Sequence, residues 1–268
     1  MDIFGSSGVR GVVGEELAPT FIGEIATAAG AVLDAETFAI ARDTRTTGQM
    51  LVDAAASALA GGGCSVHRLG IVPTPGAQAY AERHSVPVVM ITASHNPPSY
   101  NGVKLIGADG VELTARTLER IETRLTAAAA GTVGYGDVGT SRTVAGVREA
   151  YGEELLDHLE TAGVREPIAT ADLTVALDPG HGAGCLTSPR FFRELACRAL
   201  TLNAQPDGHF PGRDPEPLPE TISALRPLVR STHAYVGIAH DGDADRATRV
   251  HGAGKHIDGD AALAAPAA

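Results

Sequence analysis

Three short runs rich in Val, Ile, Leu and Ala do most to limit the folds open to this chain. Residues 86–91, 174–177 and 234–239 are each bounded by turn-forming residues. Each runs directly into a polar loop: Thr92-Ala93-Ser94-His95-Asn96-Pro97-Pro98, Asp178-Pro179-Gly180-His181-Gly182-Ala183-Gly184 and His240-Asp241-Gly242-Asp243-Ala244-Asp245-Arg246. Apolar runs of this length, alternating with segments of helical periodicity, predict a mainly parallel sheet flanked by helices. In open sheets of that kind, ligands bind beyond the carboxyl ends of the strands, which is where these three loops begin.

The periodicity predicts a glycine-punctuated loop over 1–14, helices over 18–33, 47–59, 77–83 and 113–130, and strands over 37–41, 64–69 and 86–91. Residues 72–76 read as a turn, 131–146 as a hairpin or linker. The alternation then restarts, with helices over 148–159, from the 178–184 loop to about 197, and over 219–229, and strands over 174–177, 200–202 and 234–239. This predicts an α/β protein of two consecutive domains, 1–146 and 147–252, followed by a short tail over 253–268. The two halves share an architectural plan without a recognisable residue-level repeat.

Composition narrows the function classes. The 268 residues carry 44% hydrophobic residues but only 4% aromatic and no Trp, so the core must be built from Ala, Val, Leu and Ile. A formal charge of -11 repels polyphosphate backbones and argues against nucleic acid as a partner. No apolar run reaches the ~18 residues of a membrane span, and Met1 to Gly5 lacks the basic start of a signal peptide. The expectation is a cytoplasmic protein with no membrane partner. Three widely spaced cysteines, Cys64, Cys185 and Cys197, fit neither a disulfide framework nor a thiolate zinc site and read as buried, reduced thiols.

Two loops carry the chemistry. Asp241, Asp243 and Asp245 alternate with small residues, so an extended loop turns all three carboxylates to one side. Such a cluster repels itself unless a cation lies between, and hard oxygen ligands select Mg²⁺ or Ca²⁺. An EF-hand is ruled out, because Arg246 and Gly252 stand where it needs Gly and Glu. A solvated acidic turn is the plainer alternative. A Mg²⁺ on three aspartates needs a further oxygen from substrate or phosphate, which points to phosphoryl chemistry. Ser94, just past a strand and ahead of two prolines, is presented rather than buried. Its flanks lack the Gly-x-Ser-x-Gly of a hydrolase elbow, so acyl transfer is disfavoured, and an ordinary turn serine is the competing reading. Lys104, one of only two lysines, follows Asn101-Gly102-Val103, a glycine turn able to swing its ammonium back toward Ser94. An ammonium can exchange a proton where a guanidinium cannot, although a surface lysine explains it as well. Arg10 among its glycines and the 180–184 loop are weaker signals, since both read equally as flexible or tight turns.

Taken together, the Ser94 loop with Asn101-Gly102-Val103-Lys104, the Asp241 loop, and the start Phe4-Gly5-Ser6-Ser7-Gly8-Val9-Arg10-Gly11 resemble the α-D-phosphohexomutase family, in the family's order. The resemblance implies a resting enzyme phosphorylated on Ser94. Mg²⁺ would be held by Asp241, Asp243, Asp245 and one oxygen of the Ser94 phosphate, with Arg10 and Arg246 neutralising charge, Lys104 transferring protons and His95 supporting the loop. The substrate would be a hexose phosphate, converted through a hexose 1,6-bisphosphate. Family members resemble four-domain chains, whose Gly-Glu-x-Ser-Gly sugar loop and distal-phosphate site have no counterpart here. The third domain would begin at 257–260. The expectation is therefore the first two domains only, with association to a separate C-terminal half or to a second copy. A non-catalytic fragment that binds a phosphosugar or partner subunit, and slow phosphatase action from an open half-site, are the competing readings.

Overall fold

A computed structural model describes residues 3–5, 8–127 and 132–257. Ser6 and Ser7 of the amino-terminal motif, the expected helix end at 128–130 and the tail from Asp258 onward lie outside the described residues. The chain divides into two compact units: Met1–Ala93 with Ser99–Val147, and Ser94–Pro98 with Arg148–Ala268. The five residues Ser94–Pro98 thus leave the first unit and group with the second.

Unit 1 contains β1 (Val9–Val12), α1 (Pro19–Leu33), β2 (Thr37–Arg42), α2 (Gly48–Gly61), β3 (Ser65–Ile71), α3 (Thr74–His84), β4 (Val88–Ile91), β5 (Tyr100–Ile106), α4 (Ala115–Thr126) and β6 (Ser141–Thr143). Its six strands lie in the order β1-β5-β4-β2-β3-β6. β4, β2, β3 and β6 are parallel, and β5 and β1 add antiparallel at one edge. The two-residue period of a strand sorts the core. Phe38, Ile40, Val89 and Ile91 face Ile22, Ile25, Leu51, Ala55 and Ile121 of α1, α2 and α4. Ala39, Ala41, Val88 and Met90 face Ala77, Tyr80 and Ala81 of α3. With helices on both faces, β4 is buried at every residue.

Unit 2 contains α5 (Val147–Thr161), which starts at the last residue of unit 1, then α6 (Arg165–Thr170), β7 (Thr174–Asp178), a 3₁₀ turn (Ala183–Leu186), α7 (Ser188–Glu194), β8 (Arg198–Thr201), α8 (Leu225–Ser231), β9 (Val236–His240), β10 (Ala247–His251) and β11 (His256–Ile257). The strand order is β11-β10-β9-β7-β8, parallel across β9, β7 and β8 and antiparallel across β9, β10 and β11. Val175 and Leu177 pack with Leu156, Leu195 and Cys197, while Ala176 and Ala239 pack with Ile222, Leu225 and Val229. A Cβ on Gly237 would lie 2.6 Å from Val229 Cγ2, so the bare backbone is what lets α8 approach β9.

Both sheets are mixed rather than purely parallel, and the departures from expectation have local causes. Residues 9–12 read as loop because glycines interrupt them, yet they form edge strand β1. Asn101-Gly102-Val103 is no turn: it lies inside β5, where Gly102 faces Arg10. A Cβ there would come within 2.9 Å of Thr92 O, so this glycine serves a close approach of backbones. Thr74, Pro75 and Gly76, expected as part of a turn, form the first turn of α3, because proline lacks only an N–H that the first helical turn leaves unbonded anyway. The expected linker contributes β6 beside β3, and β10 and α6 add elements not foreseen. The helix expected over 219–229 starts only at Leu225 and runs on to Ser231. Among the described residues, no helix is long and apolar enough to cross a membrane.

Candidate functional site

Ser94 lies three residues past β4, in the left-handed backbone region at φ 49° and only 1% exposed. A non-glycine residue takes that conformation only where its surroundings hold it. Here its Oγ donates to Asp241 Oδ2 at 2.7 Å, a bond within unit 2 between residues 147 apart in sequence. The expectation of a presented serine is corrected: the side chain is buried and aimed at a carboxylate. Lys104 is likewise not a surface lysine, being 3% exposed on β5 opposite Met90.

The Asp241 loop is a tight connection between β9 and β10. Asp241 N–H donates to Arg246 O at 3.3 Å, and Arg246 N–H returns a bond to Asp241 Oδ1 at 3.2 Å. Ala244 N–H closes a turn on Asp241 O and takes φ 55°. Gly242 packs so closely beneath the Ser94 carbonyl that a side chain could not fit. Its own carbonyl accepts from Ala183 N–H at 2.9 Å, which ties the 178–184 loop to the acidic one.

This geometry brings the three acids together. One carboxylate oxygen from each of Asp241, Asp243 and Asp245 lies within 4.8 Å of the others. Asp241 and Asp243 are buried and Asp245 is exposed. Burial, reinforced by the charges of Asp243 and Asp245, pushes the Asp241 carboxyl up to about 7, against the opposing hydrogen bonds from Ser94 and the Arg246 amide. Arg246 is the local counter-charge: its Nε lies 3.5 Å from Asp241 Oδ2 and 3.8 Å from Asp245 Oδ1. Its guanidinium also donates to His95 Nδ1, which lies 3.4 Å from Ser94 Oγ. Ser94, His95, Asp241, Asp243, Asp245 and Arg246 therefore form one cluster within unit 2. Arg10 on β1 and Lys104 on β5 belong to unit 1.

Behind each loop lies a buried ion pair absent from the sequence-based expectation. In unit 1, Arg45 Nε meets Asp43 Oδ2 at 3.0 Å with both side chains fully buried. Asp43 also accepts from Thr92 Oγ1 at 2.7 Å, and Arg45 donates to Tyr100 O at 2.9 Å. In unit 2, Arg213 Nε meets Asp178 Oδ2 at 3.0 Å, and the same guanidinium donates to the carbonyls of Asp178 and His240. The visible signal was an acid at the end of a predicted strand in both cases. The arginine of the second pair comes from a proline-rich loop with no periodicity to single it out.

Two α/β units with a serine and an acid triad at strand ends make this an α/β protein of the strand-end-site class. The domain descriptions "Phosphoglucomutase/phosphomannomutase, alpha/beta/alpha domain I" and "domain II" match residues 1–131 and 149–254. A protein named probable phosphoglucosamine mutase from Methanocella arvoryzae is 38% identical over 98% of this chain and 57% of its own length. A phosphoglucomutase/phosphomannomutase from Thermococcus kodakarensis is 37% identical, over 98% of this chain and 58% of its own. The crystal structure of a phosphoglucomutase/phosphomannomutase family protein from Burkholderia thailandensis superposes with a TM-score of 0.80 at 28% identity, covering 96% of this chain and 56% of that one. This chain belongs to the phosphoglucomutase/phosphomannomutase family, whose domains I and II it carries. It spans somewhat over half the length of the relatives it matches.

Proposed function

We propose that this chain supplies the phosphoryl-carrying and metal-binding domains of a phosphohexomutase. In this reading domain I spans 1–146 and domain II 147–252, Ser94 carries the phosphoryl group, and Asp241, Asp243 and Asp245 hold Mg²⁺. The single observation that supports it most is the 2.7 Å hydrogen bond between Ser94 Oγ and Asp241 Oδ2, which places a nucleophilic oxygen against the acid cluster. The donor set fits the ion, since three converging carboxylates offer the hard anionic oxygens that Mg²⁺ takes while leaving positions open. When bound, Mg²⁺ supplies charge neutralisation to phosphoryl oxygens.

The chain's own residues do the remaining work. Asp241 Oδ2 holds the proton of Ser94 Oγ and so fixes the hydroxyl's orientation. The burial of Ser94 keeps bulk water from its hydroxyl. Arg246, half exposed, offers N–H groups to the phosphoryl oxygens, and His95 keeps that guanidinium beside the serine. Arg10 adds a second positive charge in this reading. Transfer breaks the bond between Ser94 Oγ and phosphorus as a hydroxyl oxygen of a hexose monophosphate forms the new one. The hydroxyl proton passes to Lys104, and as the resulting hexose 1,6-bisphosphate returns its other phosphoryl group to Ser94 Oγ, Lys104 gives that proton to the sugar oxygen released. Positioning and charge neutralisation, the tasks these residues suit, are most of what phosphoryl transfer requires.

Incubation with Mg²⁺ and ³²P-labelled glucose, mannose or glucosamine 1,6-bisphosphate tests the reading. Label on Ser94, absent from Ser94→Ala, is the expected result; equal labelling of both chains, or none, overturns it.

A further inference from the structure

We infer that the buried pairs Asp43–Arg45 and Asp178–Arg213 are one positioning device used twice, each fixing the mouth of the strand that carries a functional loop. The inference rests on the function proposed above. In both units the acid sits at the carboxyl end of a parallel strand: Asp178 ends β7, and Asp43 directly follows β2. In both, the neighbouring parallel strand leads into the functional loop, β4 beside β2 and β9 beside β7. The pair then spans the gap. Asp43 accepts from Thr92 Oγ1, and Arg45 donates to Tyr100 O, so one pair grips the chain before and after Ser94–Pro98. Arg213 donates to Asp178 O at 3.1 Å and to His240 O, joining the ends of β7 and β9 one residue ahead of Asp241.

Each pair is built so that its partners cannot drift. The Arg45 N–H also donates to Asp43 Oδ1 at 2.9 Å, locking the pair within its own turn. Asp178 Oδ1 accepts from Gly180 N–H and Asn203 Nδ2, both at 3.0 Å, which leaves its other oxygen to Arg213. Arg213 spends its remaining N–H groups on the carbonyls of Asp214 and Pro215. Gly180, at φ 56°, lies so close to the guanidinium that a methyl group there would displace it. A planar fork reaching two strands and its own loop is geometry that lysine cannot reproduce. Buried pairs of this kind contribute little to net stability, whereas hydrogen-bonded groups behind a metal ligand typically alter metal affinity or activity by 10–100-fold.

The test measures Mn²⁺ affinity by electron paramagnetic resonance, Ser94 labelling from the bisphosphate, and the urea midpoint of the full chain. Arg213→Lys is expected to weaken Mn²⁺ binding about tenfold or more. Arg45→Lys is expected to leave Mn²⁺ affinity within about twofold while slowing Ser94 labelling about tenfold or more. Because a lone unpaired charge threatens folding, the double variant Asp178→Asn/Arg213→Met removes both charges and keeps an acceptor for Gly180 and Asn203. It should retain the wild-type urea midpoint and still bind Mn²⁺ about tenfold more weakly. A folded double variant with wild-type Mn²⁺ affinity, or changes that track the urea midpoint in every variant, overturns the inference alone. A wild-type chain that takes up neither Mn²⁺ nor label overturns the proposed function, and the inference with it.

Discussion

The strand ahead of Ser94 and the strand ahead of Asp241 hold their loops by different means. β4 is buried at all four residues between two helical layers, whereas β9 is fully buried only at Gly237 and Ala239. β4 is therefore fixed largely by apolar packing, worth about 1.5–3 kcal/mol for each large side chain removed from water. β9 relies more on hydrogen bonds: the hairpin with β10, and Arg213 at its end. The contrast teaches that the same kind of clamp can serve a strand already fixed by packing in one domain and a strand that depends on the clamp in the next.

The largest expected effects break that contrast directly. Arg45→Met and Arg213→Met each strand a buried carboxylate and should cost about 3–5 kcal/mol by urea denaturation. Hydrogen exchange should separate them: amides of Val88–Ile91 stay protected in the first variant, while those of Val236–His240 lose protection in the second. Equal loss of protection in both strands would show that packing and clamp are not distinct supports.

Acid should act on unit 2 through His240. Its imidazole is buried, which together with the positive charge of Arg213 pushes it down from 6.5 to about 4. A depressed imidazole contributes stability that is complete above pH 6.5 and is lost as pH falls through 4, because the unfolded chain takes up the proton first. The loss amounts to about 3 kcal/mol at most. His240→Gln should flatten the dependence of the urea midpoint on pH in that window, and an unchanged slope would assign the acid sensitivity elsewhere.

A smaller effect sharpens the packing side. Gly237→Ala puts a methyl group 2.6 Å from Val229 Cγ2 and should cost about 1–3 kcal/mol, read as a lowered melting temperature. A neutral result would mean that α8 can move off β9 freely.

Much of this was legible before any coordinates. Strand and helix periods are local, so the alternation, the helices and the polar loops at strand ends could be read from residues a few positions apart. The Ser94 and Asp241 loops were legible as chemistry, and their resemblance to a known family supplied the pairing. β1 and the interior of β5 are not legible in this way, because Gly8 and Gly102 look like turn residues until the second backbone that needs their missing side chains is seen. Arg213 is not legible in the sequence, because a proline-rich loop has no period.

The amino-acid order by itself determined the α/β alternation, the apolar, Trp-free core and the three aspartates at two-residue spacing, since each follows from neighbours along the chain. Only the tertiary structure decided that Ser94 Oγ meets Asp241 across 147 residues, that Ser94–Pro98 groups with unit 2, and that Arg213 ties β7 to β9. These contacts depend on which strands lie side by side, and strand order is set by the packing of whole layers, which no local period encodes.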